Sequence, residues 1–187
     1  MTYEINVAGL TRHLPLNKVN DDLTIAGFVI FGDVELTEAC ASELLKRAPE
    51  YDYMIAPEAK AIPLIHEIAR QSGRNEYFLA RKKPKFYMDG VFETDVQSIT
   101  TAGVQKLYMD GADAKKMKGK RILIIDDVIS TGESLAAVES LVNQAGGIIV
   151  GKMSILAEGK AATRDDIIFL EELPTFDKDG NKLPSYR

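Results

Sequence analysis

Two adjacent acids, Asp126 and Asp127, follow an aliphatic run, and Ser130, Thr131, Gly132, Glu133 and Ser134 come shortly after them, in RILIIDDVISTGES over residues 121–134. Carboxylates are hydrogen-bond acceptors at neutral pH, so the pair suits the hydroxyls of a sugar rather than a phosphate. The turn after them suits the phosphate. A strand, a turn of Gly and hydroxyl residues and then a helix start leave backbone N–H groups and the positive end of the helix dipole facing an anion. Thr131 and Ser134 add hydroxyl donors, and Gly132 lets the backbone come close. Acids for a ribose beside a cradle for its phosphate make a phosphoribose site. The same residues also describe a buried strand followed by an ordinary Ser-Thr-Gly helix cap. Neither G-x-x-x-x-G-K-[ST] nor G-x-G-x-x-G occurs, which excludes a P-loop NTPase and a dinucleotide fold. A receiver domain has paired acids after a strand too, but near its N-terminus and without this turn.

Those residues need a scaffold. Ile122, Leu123, Ile124 and Ile125 show no polar alternation, so they read as a strand buried on both faces, as in parallel sheets. Unpaired carboxylates are costly to bury, so Asp126 and Asp127 are expected where that strand emerges, the end at which open α/β sheets bind ligands. SLAAVESLVNQAGG predicts a helix with Leu135, Val138, Leu141 and Val142 on one face, ended by Gly146 and Gly147. Upstream, 37–48 predicts a helix capped by Thr37 with Cys40 in the core, 51–57 a strand closed by Pro57, and Ile62, Ile65, Ile68 and Ala69 the apolar face of a helix ending at Gly73. His66 lies on that helix and is assigned no role. A strand over 75–83 delivers Arg81, Lys82, Lys83 and Lys85, which alone would read as a solvated charge run. Residues 84–103 form a β-excursion or a long loop, 104–110 a strand, and 111–120 a surface crossing. Strands over 147–156 and 165–173 complete the order. Strand and helix alternating in this way imply an α/β fold, a central parallel sheet flanked by helices, in a single domain over 1–187.

Composition narrows the class. A 45% hydrophobic and 27% charged chain is ordinary for a globular protein, and no apolar run approaches the roughly 20 residues of a membrane helix. MTYEINVAGLTRHLPL has no basic start before an apolar block, so no secretory leader is expected. The lone Cys40 excludes an internal disulfide framework and fits a cytoplasmic setting. A net charge of −5 argues against a nucleic-acid surface. The tail's DKDGN is a tight turn rather than a calcium loop, because the glutamate that loop requires would fall beyond the sequence.

IIDDVISTGES closely resembles the 5-phosphoribosyl-1-diphosphate (PRPP) signature of the type I phosphoribosyltransferases. In that family's order, PEAKAIPL (57–64) resembles its pyrophosphate loop, ARKKPK (80–85) its basic strand end, and SITT (98–101) part of its flexible loop. The resemblance implies that Asp126 and Asp127 hold the ribose 2′- and 3′-hydroxyls and that Ser130, Thr131, Gly132, Glu133 and Ser134 hold the 5′-phosphate. Glu58, Ala59 and Lys60 would present backbone amides to the pyrophosphate, joined by Arg81, Lys82 and Lys85. Mg²⁺ would be held mainly by PRPP rather than by the protein. It further implies a homodimer and a small hood built from 1–36 and 158–187. The implied reaction is displacement of pyrophosphate at the ribose C1 by a purine base, in purine salvage, with 86–103 as a lid that excludes water.

For the base, RKKPK and AGFVIFGD are most similar to adenine phosphoribosyltransferase, with Gly32 where that family usually has arginine and Ala61 where it usually has glycine. Ser130 stands where hypoxanthine-guanine enzymes commonly have aspartate. Xanthine phosphoribosyltransferase is the near alternative, and a non-catalytic PRPP-binding regulator the other. Val29 and Phe31 are candidates for sandwiching a flat base, against ordinary core packing. Glu93 is a candidate for proton transfer, against a solvated loop acid.

Overall fold

The computed structural model describes residues 1–96 and 105–185. Its centre is a five-stranded parallel sheet in the order β10-β9-β8-β4-β5. These strands are β4 (Tyr53–Pro57), β5 (Phe78–Ala80), β8 (Arg121–Ile129), β9 (Ile148–Glu158) and β10 (Ile168–Leu173). The aliphatic run of β8 is buried on both faces, as its lack of alternation requires. Leu123 and Ile125 meet the helices α1 (Val34–Leu45) and α2 (Ile62–Gln71) through Leu44, Leu64, Ile65 and Ile68. Ile122 and Ile124 meet Leu135, Val138, Leu141 and Val142 of α4 (Glu133–Gln144) on the other face. Cys40 is wholly buried in the first of these cores, and burial pushes its thiol up to about 12.

A hood lies outside this sheet. The strands β1 (Thr2–Val7), β2 (Leu10–Lys18), β3 (Thr24–Ala26) and β11 (Thr175–Phe176) form an antiparallel sheet in the order β1-β2-β3-β11, so both ends of the chain meet in it. Ile5 and Val7 point inward while Glu4 and Asn6 face solvent, the alternation of a half-buried strand. The tail folds as the tight turn expected of it, with the Asp177 carboxylate accepting from the amides of Asp179 and Asn181, both at 2.9 Å. Among the described residues no helix is long and apolar enough to cross a membrane.

Several expectations are corrected. The helix expected from Thr37 starts a turn earlier: Asp33 is its cap, accepting from Leu36 N at 3.1 Å, while the Thr37 hydroxyl donates to Asp33 O at 2.7 Å. The strand expected over 75–83 is only Phe78–Ala80, because the next residue leaves the sheet: Arg81 exchanges backbone hydrogen bonds with Tyr108 at 2.7 and 2.8 Å. Within 84–110 the chain makes an antiparallel hairpin of β6 (Phe92–Val96) and β7 (Gln105–Met109), the β-excursion option. SITT, 98–101, lies outside the described residues. The surface crossing contains a short helix, α3 (Gly111–Met117), capped by Asp110, whose carboxylate accepts from Ala112 N at 3.0 Å. A Cβ on Gly111 would lie 2.5 Å from Asp89 O, so glycine opens this helix for want of space. Finally, β8 does not end before the acids: it pairs onward to Ile129, with Asp126 in register with Ser154.

One ion pair fixes where the β4–β8 pairing begins. The Asp52 carboxylate accepts from Arg121 N at 2.8 Å and from Arg121 Nη2 at 3.0 Å, immediately before Tyr53 pairs with Ile122. The Arg121 guanidinium holds the Asp52 carboxyl down at about 2, from an ordinary 3.8. A depressed carboxyl stabilises the fold above its unfolded value, and that stability is lost as pH falls from 3.8 through about 2. Asp52→Asn is therefore expected to flatten the fall in stability across this window, measured by urea unfolding at successive pH values. Parallel curves for the two proteins would refute the assignment.

Candidate functional site

A cleft of about 480 Å³ opens at the carboxyl ends of β4 and β8, where α/β sheets place ligands. On one side β8 delivers Asp126 and Asp127 and then turns through Ser130, Thr131 and Gly132 into α4. Gly132 caps the helix in the left-handed conformation, φ +84°, and has no side chain to satisfy the first turn. The amides of Thr131, Gly132, Ser134 and Leu135 find no acceptor among the described residues, and that of Glu133 reaches only Thr131 Oγ1 at 3.5 Å. These are open donors at the positive end of a helix, facing the cleft.

The acids are more enclosed than expected, at 8% and 6% exposure. Asp126 accepts from Asp127 N at 2.9 Å, whereas Asp127 Oδ2 is buried with no partner among the described residues. Burial first, then the Asp127 charge, pushes the Asp126 carboxyl well above the usual range. Burial also raises Asp127, and the Lys60 ammonium opposes the rise at both acids. A buried carboxylate oxygen without a donor is a costly feature that a ligand's hydroxyls would relieve.

The opposite wall comes from the end of β4. Pro57, Glu58, Ala59 and Lys60 line the cleft, and the Glu58–Ala59 peptide bond is cis. The amides of Ala59 and Lys60 are without acceptors among the described residues, but Glu58 N donates to Ala80 O at 2.8 Å. The Glu58 amide is thus committed to the sheet and corrects the expectation that it faces an anion. Its carboxylate accepts from Lys82 N at 2.9 Å and pairs with Arg81 Nη2 at 3.3 Å, which ties the ends of β4 and β5 together.

Of the expected residues, the structure gathers Glu58, Ala59, Lys60, Lys82, Asp126, Asp127, Ser130, Thr131, Gly132 and Ser134 around one cleft. Arg81 lies behind the wall on Glu58, and neither Lys85 nor Glu133 lines the cleft. Val29 and Phe31 do not reach it either. They are 55% and 51% exposed, so they are not core residues, while their neighbours Phe28 and Ile30 are buried. Glu93 sits on β6 rather than in a free loop, paired with Lys106 Nζ at 2.7 Å. Two lysines of the lining were not assigned to the ligand from the sequence: Lys83, named there only as part of the basic cluster, and Lys106, whose place on β7 carried no motif.

No three His, Cys, Asp or Glu side chains converge as a metal cage among the described residues. Oxygen donors in a carboxylate pair, one of them unpartnered, nonetheless fit a hard divalent ion carried in on phosphate oxygens. An amide cradle, a pair of buried acids and a second wall of amides and lysines around one cleft suit an elongated, multiply anionic ligand.

The phosphoribosyl transferase domain family matches residues 36–179. Curated relatives include hypoxanthine/guanine phosphoribosyltransferases of Methanococcus voltae, 28% identical over 74% of this chain and 70% of that protein, and Methanocella arvoryzae, 31% identical over 71% and 66%. The one from Methanothermobacter thermautotrophicus is 32% identical over 66% of this chain, which spans only 57% of that relative's length. Among solved structures, adenine phosphoribosyltransferase from Thermoanaerobacter pseudethanolicus superposes with a TM-score of 0.65 at 22% identity, covering 77% of this chain and 84% of that one. The Saccharomyces cerevisiae enzyme, complexed with an imino-altritol bisphosphate and adenine, also gives 0.65, at 17% identity over 91% and 92%. At such identities the likeness is one of fold.

Proposed function

The chain belongs to the phosphoribosyl transferase family, and from that premise we propose that it transfers phosphoribose from PRPP to a purine base, releasing pyrophosphate. The observation that carries this is the unpartnered, buried Oδ2 of Asp127 beside a helix start whose amides are open. The base nitrogen forms its bond to the ribose C1 as the bond to the pyrophosphate oxygen breaks, the proton of that nitrogen being released to the departing pyrophosphate or to water, and the ribose becomes cation-like between them. Asp126 and Asp127 hold the 2′- and 3′-hydroxyls, and their negative charge stabilises the cationic ribose. The turn from Ser130 to Ser134 holds the 5′-phosphate. The amides of Ala59 and Lys60, with the ammonium groups of Lys60, Lys82, Lys83 and Lys106, receive the leaving pyrophosphate. Mg²⁺ would be held mainly by PRPP oxygens, and would supply charge neutralisation for the leaving pyrophosphate.

Adenine is the base proposed, on the similarity of RKKPK and the AGFVIFGD segment to adenine enzymes. A second reading, a 6-oxopurine, is supported by the curated relatives, which are named for hypoxanthine and guanine. Pyrophosphate release from PRPP and Mg²⁺, with adenine, hypoxanthine, guanine and xanthine supplied singly, separates them. Turnover with adenine alone supports the first and turnover with an oxopurine the second. PRPP binding without turnover on any base would overturn catalysis in favour of a sensor.

Lys60 provides a pH-dependent test. Its charge lowers the proton affinity of both acids, so removing it raises them further. In Lys60→Ala the acid limb of kcat/KM is expected to move to higher pH. The KM for PRPP should rise roughly tenfold through loss of one charge-assisted contact. An unshifted limb would show that Lys60 does not face the pair in solution.

A further inference from the structure

We infer that Arg164 is a positioning residue of the phosphate turn, set behind Gly132 by a chain of ion pairs that begins on α4 itself. The inference rests on the reading that this turn seats a phosphate, and it adds a residue that neither the signature nor the cleft lining contains. A Cβ built on Gly132 would lie 2.7 Å from Arg164 Nη1, so the guanidinium fills the space a side chain would occupy there. Arg164 is not loosely tethered. Its Nε and Nη2 bind the two oxygens of Asp166 at 2.8 and 2.7 Å, a planar two-point pairing.

Asp166 in turn accepts from Lys152 Nζ at 2.6 Å, and Lys152, on β9, also donates to Glu139 of α4 at 2.6 Å. The helix whose start forms the cradle therefore holds, through Lys152 and Asp166, the arginine that backs the cradle. With Nε and Nη2 committed, Nη1 makes no hydrogen bond within the described residues and stands against the turn. The guanidinium is fixed with its Nε and Nη2 on Asp166 and its Nη1 toward the turn, so the positive end of the pair adds to the partial charges of the amides and the local field favours an anion on them.

The test measures binding by calorimetry, with ribose 5-phosphate probing the turn and pyrophosphate probing the lysine wall. In Arg164→Gln the affinity for ribose 5-phosphate is expected to fall about tenfold, one charge's worth of anion binding, while pyrophosphate binding is retained. Arg164→Lys, which keeps the charge but not the two-point pairing, should recover part of the loss. Undiminished ribose 5-phosphate binding by Arg164→Gln overturns the inference and leaves the proposed function standing. Equal loss of both ligands also overturns it, since that reports a general disturbance of the cleft. If the wild-type protein binds pyrophosphate but not ribose 5-phosphate, the phosphate seat itself is wrong and both readings fall together.

Discussion

Asp127→Asn is expected to lose about ten- to a hundredfold in kcat/KM, because hydrogen bonds to a charged acceptor are worth about 1.5–3 kcal/mol and the neutral amide keeps only part of that. The same substitution is expected to raise the melting temperature at neutral pH. Burial raises the Asp127 carboxyl above its ordinary 3.8, so ionisation disfavours the folded state. Stability from this group is full below the unfolded value and declines as pH rises through the folded one. The amide cannot ionise, so the variant gains on the wild type at pH 7 to 8, and the gain vanishes below pH 4. Thermal unfolding across that range, alongside steady-state kinetics, reads both effects. Full activity in the variant would remove the ribose role, and a lowered melting temperature at pH 8 would show that the buried oxygen is not a burden to the fold.

Gly132→Ala is expected to raise the KM for PRPP by tenfold or more. An L-residue at φ +84° costs about 1–2 kcal/mol, and the new methyl would meet the guanidinium at 2.7 Å. Because Arg164 is held at two points by Asp166, the guanidinium does not swing aside without breaking that pair. The turn must move instead, carrying its amides away from the anion. The melting temperature should fall by about 2–8 °C, the size expected for that strain in a chain of this length. Making Gly132→Ala in the wild-type and in the Arg164→Ala background separates the two causes: its further cost over Arg164→Ala alone is the part due to the backbone angle, and the difference between the two backgrounds is the steric part. Unchanged kinetics in the single variant would show that the turn does not seat the 5′-phosphate.

How much of this was visible beforehand depends on what each signal measures. The β8 run and the α4 periodicity were legible because burial on both faces, or on one helical face, writes itself into consecutive residues. The acids and the turn were legible as a motif, yet their depth was not, since the continued pairing of Asp126 opposite Ser154 is decided by β9. Val29 and Phe31 show the limit clearly. In the run Phe28 to Phe31 every residue is apolar, and only the packing of the segment decides that alternate members are buried. Glu58 and Arg81 were assigned to the ligand, whereas their pairing with each other required knowing that β4 and β5 are neighbours. Lys106 lies on β7, whose pairing with β6 joins segments separated by residues 97–104 in the sequence, so nothing local pointed to it. The caps Asp33 and Asp110 were local signals left unread, each an Asp just before a helical stretch.

The position of β8 also has a dynamic consequence. It is paired on both edges and covered on both faces, so its amides exchange with solvent only when the whole domain opens. The antiparallel sheet is different: its last member, β11, contributes only Thr175 and Phe176 and rests on Ile25 and Thr24. Hydrogen exchange should therefore be slowest along Leu123 to Ile125 and fast where the two chain ends meet. The acids ride on the part of the molecule that holds its shape longest, and the chain ends can breathe around them without disturbing their positions.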